Sequence, residues 1–166
     1  GLGGGSSDAA AVLLGLNRVW KTGFSLERLC KLGAELGCDI PAFLNGGPVS
    51  AEGLGERVEK IPLSWNGSSG GWWLVLVNPG FPVYTADIYS RIPGSLTFQP
   101  ERYKNMKFAL GRLDLGIAAG NLFNALESVA CCKYPVLGIL ADRLKAAGAL
   151  GVQVSGSGAS LFGLTK

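Results

Sequence analysis

The first seven residues form a glycine-rich stretch with the chemistry of a phosphate-binding segment, and a helix is predicted directly after it, at residues 9–20. The candidate ligands are Gly1, Gly3, Gly4, Gly5, Ser6 and Ser7. Glycine allows close approach of an anion to the backbone, and the free N–H groups and dipole at a helix start favour negative charge. The alternative is an ordinary helix N-terminus after a flexible turn. The stretch fits neither the dinucleotide fingerprint nor the Walker A motif.

A second segment of small residues lies near the end of the chain, at residues 155–160 (SGSGAS). It could form a backbone nest for another anion or a tight hairpin turn. Asp39 precedes Ile40 and Pro41, and this order is typical of a helix start, because Asp is a good cap and Pro is tolerated in a first turn.

The composition excludes several classes of protein and mechanism. With 48% apolar and 16% charged side chains among 166 residues, the chain can build a core and is not expected to be disordered. Histidine is absent, which removes mechanisms that need an imidazole base and most zinc chemistry. The formal net charge of +3 is too small to indicate nucleic acid or an anionic membrane as a partner.

The cysteine spacing and the hydropathy point to a cytoplasmic protein. Cys30, Cys38, Cys131 and Cys132 show no C-x-x-C spacing, so reduced thiols are expected rather than disulfides or a metal site. No apolar run reaches the length of a membrane span, and no signal-peptide pattern is found. Neither secretion nor membrane insertion is therefore expected.

Hydrophobic periodicity predicts the elements that must position these residues. Helices are expected at residues 9–20, 26–36, 85–91, 106–115, 124–131 and 136–147, with a short helix after Asp39. A β-hairpin is expected from residues 49–52 and 58–61, and further strands at residues 72–77, 151–154 and 160–164. Ser6 to Asp8 should cap the first helix, with its apolar face at Val12, Leu16, Val19 and Trp20, and Ser25 should cap the second. The strand at residues 72–77 is expected to be buried.

Five segments, taken in order, resemble one family. They are residues 1–10 (GLGGGSSDAA), 37–43 (GCDIPAF), 51–56 (AEGLGE), 124–127 (NALE) and 155–159 (SGSGA). The first resembles the second motif of the GHMP small-molecule kinases, in the triple-glycine form of the enzymes that phosphorylate 4-diphosphocytidyl-2-C-methyl-D-erythritol. The others resemble that group's G-x-D-[IV]-P-F-F block, A-x-G-x-G-E hairpin, N-D-L-E segment and third motif. The chain is therefore identified as a member of the GHMP kinases, with their α+β fold.

The resemblance implies ATP-dependent phosphorylation of the 2-hydroxyl of the cytidylylated methylerythritol, with Mg²⁺, in the non-mevalonate isoprenoid pathway of the bacterial cytoplasm or a plastid. It implies that Gly1 and Gly3 to Ser7 hold the ATP phosphates and that Asp39 is the general base. The implied substrate contacts are Thr85, Tyr89, Gly156, Ser157 and Gly158, with Tyr89 packing on the cytosine. One carboxylate, a glycine cradle and a cation suffice for this chemistry without histidine.

Each of these assignments has an alternative. Asp39 could be only a helix cap, and Tyr89 only a half-buried core residue, while Asn124 and Glu127 are interpreted as local structural contacts. Among functions, the alternatives are homoserine kinase, mevalonate kinase, the related diphosphomevalonate decarboxylase and a non-catalytic nucleotide-binding module.

The domain organisation follows from the same resemblance. Residues 1–68 are expected to be the C-terminal part of the family's ATP-binding domain, and residues 69–166 its C-terminal domain of helices on an antiparallel sheet, with a linker at residues 66–71. The family's first motif, with its lysine, is expected to lie before Gly1, so the chain is interpreted as truncated and not fully active alone. Small molecules are the expected partners, and no oligomeric state is predicted.

Overall fold

A computed structural model describes residues 1–53, 55–63, 71–92, 94 and 99–166. The chain forms two compact units, of which the first in sequence comprises Gly3–Pro62 and the second comprises Gly1–Leu2 with Leu63–Lys166. The predicted linker at residues 66–71 falls almost entirely outside the described residues, and the predicted boundary after residue 68 stays a prediction.

The unit Gly3–Pro62 consists of a helical part and a hairpin. Its elements are α1 (Gly4–Val19), α2 (Leu26–Leu36), α3 (Ile40–Asn45), β1 (Val49–Glu52) and β2 (Arg57–Lys60). The Ser25 hydroxyl accepts a hydrogen bond from the N–H of Arg28 at 3.2 Å, so the predicted cap of α2 is confirmed. The two strands pair antiparallel, with Val49 opposite Lys60, which confirms the hairpin.

The core of this unit lies where the three helices meet. Ala10 of α1, Leu29 of α2, and Ile40 and Leu44 of α3 are all buried and form one apolar cluster. Burial of a leucine or isoleucine side chain stabilises a fold by about 1.5–3 kcal/mol, so this small cluster holds the start of α3 firmly against α1 and α2.

Helix α1 differs from its prediction at both its start and its buried face. It begins at Gly4, with Gly3 in the cap position and no side-chain cap, so Ser6 and Ser7 lie inside the first turn instead of capping it. The predicted apolar face is exposed, since Val12, Val19 and Trp20 retain 58%, 73% and 68% of their accessible surface. The helix packs instead through Ala10, because the small side chain allows α3 to approach closely.

Among its described residues, the second unit has five helices and a three-stranded antiparallel sheet, which confirms the α+β fold class. The strands are β3 (Trp73–Val77), β4 (Gly151–Val154) and β5 (Leu161–Thr165), in the order β3-β5-β4. The helices are α4 (Thr85–Tyr89), α5 (Pro100–Arg112), α6 (Leu115–Gly120), α7 (Glu127–Lys133) and α8 (Pro135–Ala146). The main core joins Ile88 of α4 and Leu137 of α8 to Leu161 of β5, all with no exposed surface.

Three predictions for this unit are wrong in detail. Helix α5 starts at Pro100 rather than at residue 106, because Pro at a first helical position is well tolerated and periodicity does not show it. Helix α6, Leu115–Gly120, was not predicted, since its small residues carry no clear apolar period. Strand β3 was expected to be buried, but four of its five residues are exposed, because α6 and α8 pack on β4 and β5 instead.

None of the helices in the described part of the chain has both the length and the apolar character that crossing a bilayer requires.

Candidate active site

The start of α1 presents unpaired backbone donors. The first hydrogen bond of the helix runs from the N–H of Ser7 to the carbonyl of Gly3 at 2.9 Å. The N–H groups of Gly4, Gly5 and Ser6 therefore have no acceptor within the helix. A 16-residue helix places the positive end of its dipole at the same point, so these groups fit an anion such as phosphate.

The fold requires glycine at one position of this segment but not at two others. Gly3 has a φ of 66°, and a β-carbon there would lie 2.8 Å from the ring of Phe43, so both conformation and packing require glycine. Gly4 and Gly5 are exposed helical residues, and a β-carbon at either would meet nothing within 4 Å. The folded chain does not require glycine at these two positions, whereas close approach of a ligand to their N–H groups would.

The serines of the segment are less available than predicted. The Ser7 hydroxyl donates to the carbonyl of Gly4 at 2.8 Å. Its oxygen can still accept, but its proton is engaged within the first turn. Ser6 is half-buried, and its backbone N–H is its clearest binding group.

Asp39 is exposed at the N-terminus of α3. It occupies the cap position of the helix, but its carboxylate makes no capping hydrogen bond. The N–H of Phe43 bonds to the carbonyl of Asp39 at 3.3 Å, which places the two residues one turn apart. Because Phe43 packs on Gly3, the turn that begins at Asp39 lies beside the start of α1. The carboxylate is therefore free for chemistry, and the helix-cap alternative is not supported.

The second glycine segment, residues 155–160, is a tight loop between β4 and β5. Gly156 and Gly158 both have positive φ, of 57° and 89°. The loop is closed by hydrogen bonds from the N–H of Ser155 to Ser160 at 2.8 Å and from the N–H of Gly158 to Ser155 at 3.0 Å. The loop is thus a hairpin turn, which confirms that interpretation, and it also leaves backbone donors unpaired, so the anion-nest interpretation stays a prediction.

Two of those donors belong to Gly156 and Ser157. Neither N–H has a hydrogen-bond acceptor among the described residues, although Ser157 is only 6% exposed. Buried backbone N–H groups are almost always paired. This part of the loop therefore has the chemistry of an anion nest.

Residues predicted to contact the substrate meet at this loop. The hydroxyls of Thr85 and Ser157 lie 3.0 Å apart and share a hydrogen bond, although they are 72 residues apart in sequence. Tyr89 follows Thr85 by four residues on α4, so both lie on one face of the helix. Tyr89 keeps 49% of its surface exposed, because α4 is anchored through the fully buried Ile88 instead.

Gly1 also reaches this loop. The Ser155 hydroxyl donates to the carbonyl of Gly1 at 2.5 Å, and a β-carbon at Gly1 would lie 2.8 Å from the carbonyl oxygens of Ser155 and Gly158. Gly1, predicted as a phosphate ligand, thus packs against the second glycine segment.

Ion pairing holds α4 in place, and the sequence analysis missed it. Asp87 pairs with Lys133 of α7 and, at 3.1 Å, with Arg91. The spacing of Asp87 and Arg91 signals their pair, whereas nothing in the sequence signals Lys133, which lies on a distant helix.

Two of the four thiols are partly buried, and this changes their pKa values. Burial raises the pKa of the Cys30 thiol, with a smaller opposite effect from its hydrogen bond with Asn45. Burial also raises the pKa of Cys131, and the carboxylate of Glu127 adds to this. In the part of the chain that the structure describes, no group of three or more Cys, Asp or Glu residues could hold a metal ion. Cys38 and Cys132 are exposed and free.

Two models of one family match the chain. The GHMP kinases N terminal domain matches residues 1–47, and the GHMP kinases C terminal domain matches residues 107–166.

Curated relatives match along nearly the whole chain. The 4-diphosphocytidyl-2-C-methyl-D-erythritol kinase of Geobacter metallireducens is 43% identical over 99% of this chain and 55% of its own length. The protein of the same name from Pelotomaculum thermopropionicum is 42% identical over 99% of this chain and 56% of its own length. The chain thus spans about half the length of these relatives.

Two solved structures are similar. A 4-(cytidine 5'-diphospho)-2C-methyl-D-erythritol kinase matches 99% of this chain and 56% of its own, with a TM-score of 0.72 and 33% identity. A homoserine kinase from Cytophaga hutchinsonii matches 90% of this chain and 51% of its own, with a TM-score of 0.74 and 20% identity. The second likeness concerns the fold alone. With both domain models of one family matched and relatives of up to 43% identity along almost all of its length, the chain belongs to the GHMP kinase family.

Proposed function

We propose that this chain carries ATP- and substrate-binding residues of a kinase that phosphorylates the 2-hydroxyl of 4-diphosphocytidyl-2-C-methyl-D-erythritol. The observation that carries the proposal is the exposed carboxylate of Asp39, which makes no capping hydrogen bond and lies on a turn whose Phe43 packs against Gly3 at the start of α1. The names of the relatives at 42–43% identity support the choice of substrate over the other acceptors used by the family.

Asp39 acts as the general base. Its carboxylate accepts the proton of the 2-hydroxyl as the oxygen attacks phosphorus, and a positioned base typically contributes a factor of about 10²–10⁴ to the rate. Asp39 is held at the start of α3 by the buried side chains of Ile40 and Leu44, so its backbone position is well defined.

The start of α1 binds the ATP phosphates. ATP supplies the γ-phosphoryl group, while the N–H groups of Gly4, Gly5 and Ser6 hold phosphate oxygens. Because Mg²⁺ in such reactions is held largely by phosphates and water, with few protein carboxylates, the absence of an acidic cluster among the described residues fits a metal that arrives with the nucleotide.

The loop at residues 155–160 and α4 bind the substrate. The N–H groups of Gly156 and Ser157 face the diphosphate, and Gly158 sets the shape of the loop. Thr85 orients Ser157 through their shared hydrogen bond of 3.0 Å. Tyr89, exposed on the same face of α4, packs on the cytosine.

The proposed setting is the cytoplasm, with ATP and the cytidylyl compound as ligands. No nucleic acid or membrane partner is part of the proposal, since the formal net charge is only +3.

The test is a phosphoryl-transfer assay on the chain joined to the remaining part of the Geobacter metallireducens relative. Transfer of phosphate from ATP to the cytidylyl substrate, homoserine or mevalonate is followed by ³¹P NMR. We expect phosphorylation of the first acceptor alone, and Asp39→Asn should lower kcat by about 10² or more with nearly unchanged ATP binding.

The matched control is Asp142→Asn, which removes an exposed carboxylate of α8 that pairs with Lys145 at 3.6 Å. This variant should keep the full rate. A normal kcat for Asp39→Asn would contradict the role of Asp39, and transfer to homoserine or mevalonate in place of the cytidylyl substrate would contradict the proposed substrate.

A further inference from the structure

Asn124 binds the second glycine segment from outside the loop. Its side-chain amide donates to the carbonyl of Val154 at 2.8 Å and to the carbonyl of Gly156 at 2.7 Å. Its oxygen accepts the N–H of Leu126 at 2.9 Å, which fixes the orientation of the amide. Both donor hydrogens are thus used, one on the end of β4 and one on the loop, by a residue about 30 positions earlier in the chain.

We infer that Asn124 is a positioning residue that aims the N–H of Ser157 at an anion. The peptide group is planar, and in its trans form the carbonyl and the N–H point in opposite directions. The carbonyl of Gly156 and the N–H of Ser157 belong to one peptide group. Because Asn124 holds that carbonyl, the N–H of Ser157 must point away from Asn124.

The surroundings of this peptide group leave its N–H available to a ligand. Ser157 is 6% exposed, yet its N–H has no acceptor in the described part of the chain. Its hydroxyl is already engaged with Thr85 at 3.0 Å. The backbone donor, rather than the side chain, is thus the group that this arrangement leaves for a ligand.

Glu127 fixes the strand that leads into the loop. Its carboxylate accepts the N–H of Val154 at 3.1 Å and the side-chain amide of Gln153 at 2.6 Å. Asn124 and Glu127, three residues apart, therefore hold neighbouring parts of one segment. Glu127 bonds to Gln153 and Val154, and Asn124 bonds to Val154 and Gly156. Asn124 acts on the end of β4 and on the loop, whereas Glu127 acts on β4 alone.

The side chain of Asn124 cannot be exchanged for a close analogue. Aspartate has the same shape but would place an acceptor, with negative charge, against two carbonyl oxygens. The peptide group would then turn, and the N–H of Ser157 would lose its direction. This inference rests on the proposed role of the loop as the anion-binding part of the substrate site.

The test uses inorganic pyrophosphate as the probe and the whole chain labelled with ¹⁵N. In the unaltered chain, titration should shift the amide signals of Gly156 and Ser157. Asn124→Asp should weaken pyrophosphate binding about tenfold or more, as expected for a lost hydrogen bond to a charged group. ATP binding, which the proposed function assigns to the start of α1, should stay unchanged.

The matched control is Asn121→Asp. The Asn121 amide donates to Ile117 at 2.8 Å and does not bond to the loop, so this variant should bind pyrophosphate normally. A second variant, Asn124→Gln, keeps the donors and the acceptor but moves them by one methylene. It should fold and still bind more weakly, which a purely structural role would not produce.

Two results would overturn the inference. One is equal pyrophosphate affinity in the unaltered chain and in folded Asn124→Asp or Asn124→Gln. The other is a titration in which pyrophosphate shifts no amide of the loop. Failure of the proposed function is a separate result. If no phosphoryl transfer were detected but Asn124→Asp still lost pyrophosphate binding, the role of Asn124 would be supported and the proposed function would not.

Discussion

The two glycine-rich segments use glycine for different physical reasons. In residues 1–7, Gly4 and Gly5 are exposed helical residues with no neighbour that excludes a side chain. In residues 155–160, Gly156 and Gly158 both have the positive φ that a side chain disfavours. The second segment therefore needs its glycines to fold, whereas the first has two glycines that the fold alone does not explain.

The difference extends to how each segment is held. The first segment is the start of a helix, and its donors are unpaired because of the helix geometry itself. The second is held by side chains from elsewhere, since Asn124 bonds to the carbonyl of Gly156 and to that of Val154 just before the segment, and Thr85 bonds to Ser157. A helix start needs few supporting contacts, whereas a short irregular loop needs several to keep one conformation.

The largest expected effect is at Gly3, which differs from Gly4 and Gly5 because the fold itself requires glycine there. Gly3→Ala should lower the free energy of unfolding by about 2–4 kcal/mol, because alanine is strained at positive φ and its β-carbon would overlap the Phe43 ring. Urea denaturation of the chain measures this as a lower midpoint with an unchanged slope. Unaltered stability would mean that the start of α1 can move away from Phe43.

The next prediction distinguishes the proposed substrate site, formed by residues 155–160 and α4, from the proposed ATP site at the start of α1. Tyr89→Leu should weaken binding of the cytidylyl substrate about tenfold to a hundredfold, since stacking on a base contributes roughly 1–3 kcal/mol. Tyr89→Phe keeps the ring and should bind almost normally, and ATP affinity should not change in either variant. Calorimetric titration of the chain with each ligand measures this, and equal behaviour of the two variants would remove the stacking role.

A smaller effect of opposite sign is expected at Gly4. Gly4→Ala should raise the free energy of unfolding by about 0.5–1 kcal/mol, because alanine favours a helix and no neighbour obstructs it. The same change should weaken ATP binding, since the β-carbon hinders approach of phosphate to the N–H groups. A variant that is more stable and binds ATP as well as before would show that Gly4 has no ligand-binding role.

The smallest effect concerns the exposed thiols. Cys38 precedes Asp39, so MgATP at the start of α1 should slow its alkylation by iodoacetamide severalfold, whereas Cys132 on α7 should react at an unchanged rate. The raised pKa values of Cys30 and Cys131 reduce their thiolate fraction at pH 8, so both should react more slowly. Mass spectrometry of the peptides gives all four rates, and equal protection by adenosine would show that the phosphates are not involved.

Sequence alone predicted those features whose causes lie within a few residues. Ser25 predicted the start of α2, Pro41 the first turn of α3, and Gly53 and Gly55 the turn of the hairpin. The five family-like segments predicted the α+β fold and the GHMP family. The first three signals depend on local backbone preferences, so each can be read from neighbouring letters, whereas the family is identified from motifs spread over residues 1–159.

Other features were decided by tertiary structure. The exposure of β3 follows from the packing of α6 and α8 on β4 and β5, and the burial of Ala10 in place of Val12 follows from how closely α3 approaches α1. The bonds from Asn124 to Gly156 and from Thr85 to Ser157 join residues 32 and 72 positions apart. Local preferences carry no information about which distant groups will meet, because that depends on how all the apolar surfaces pack together.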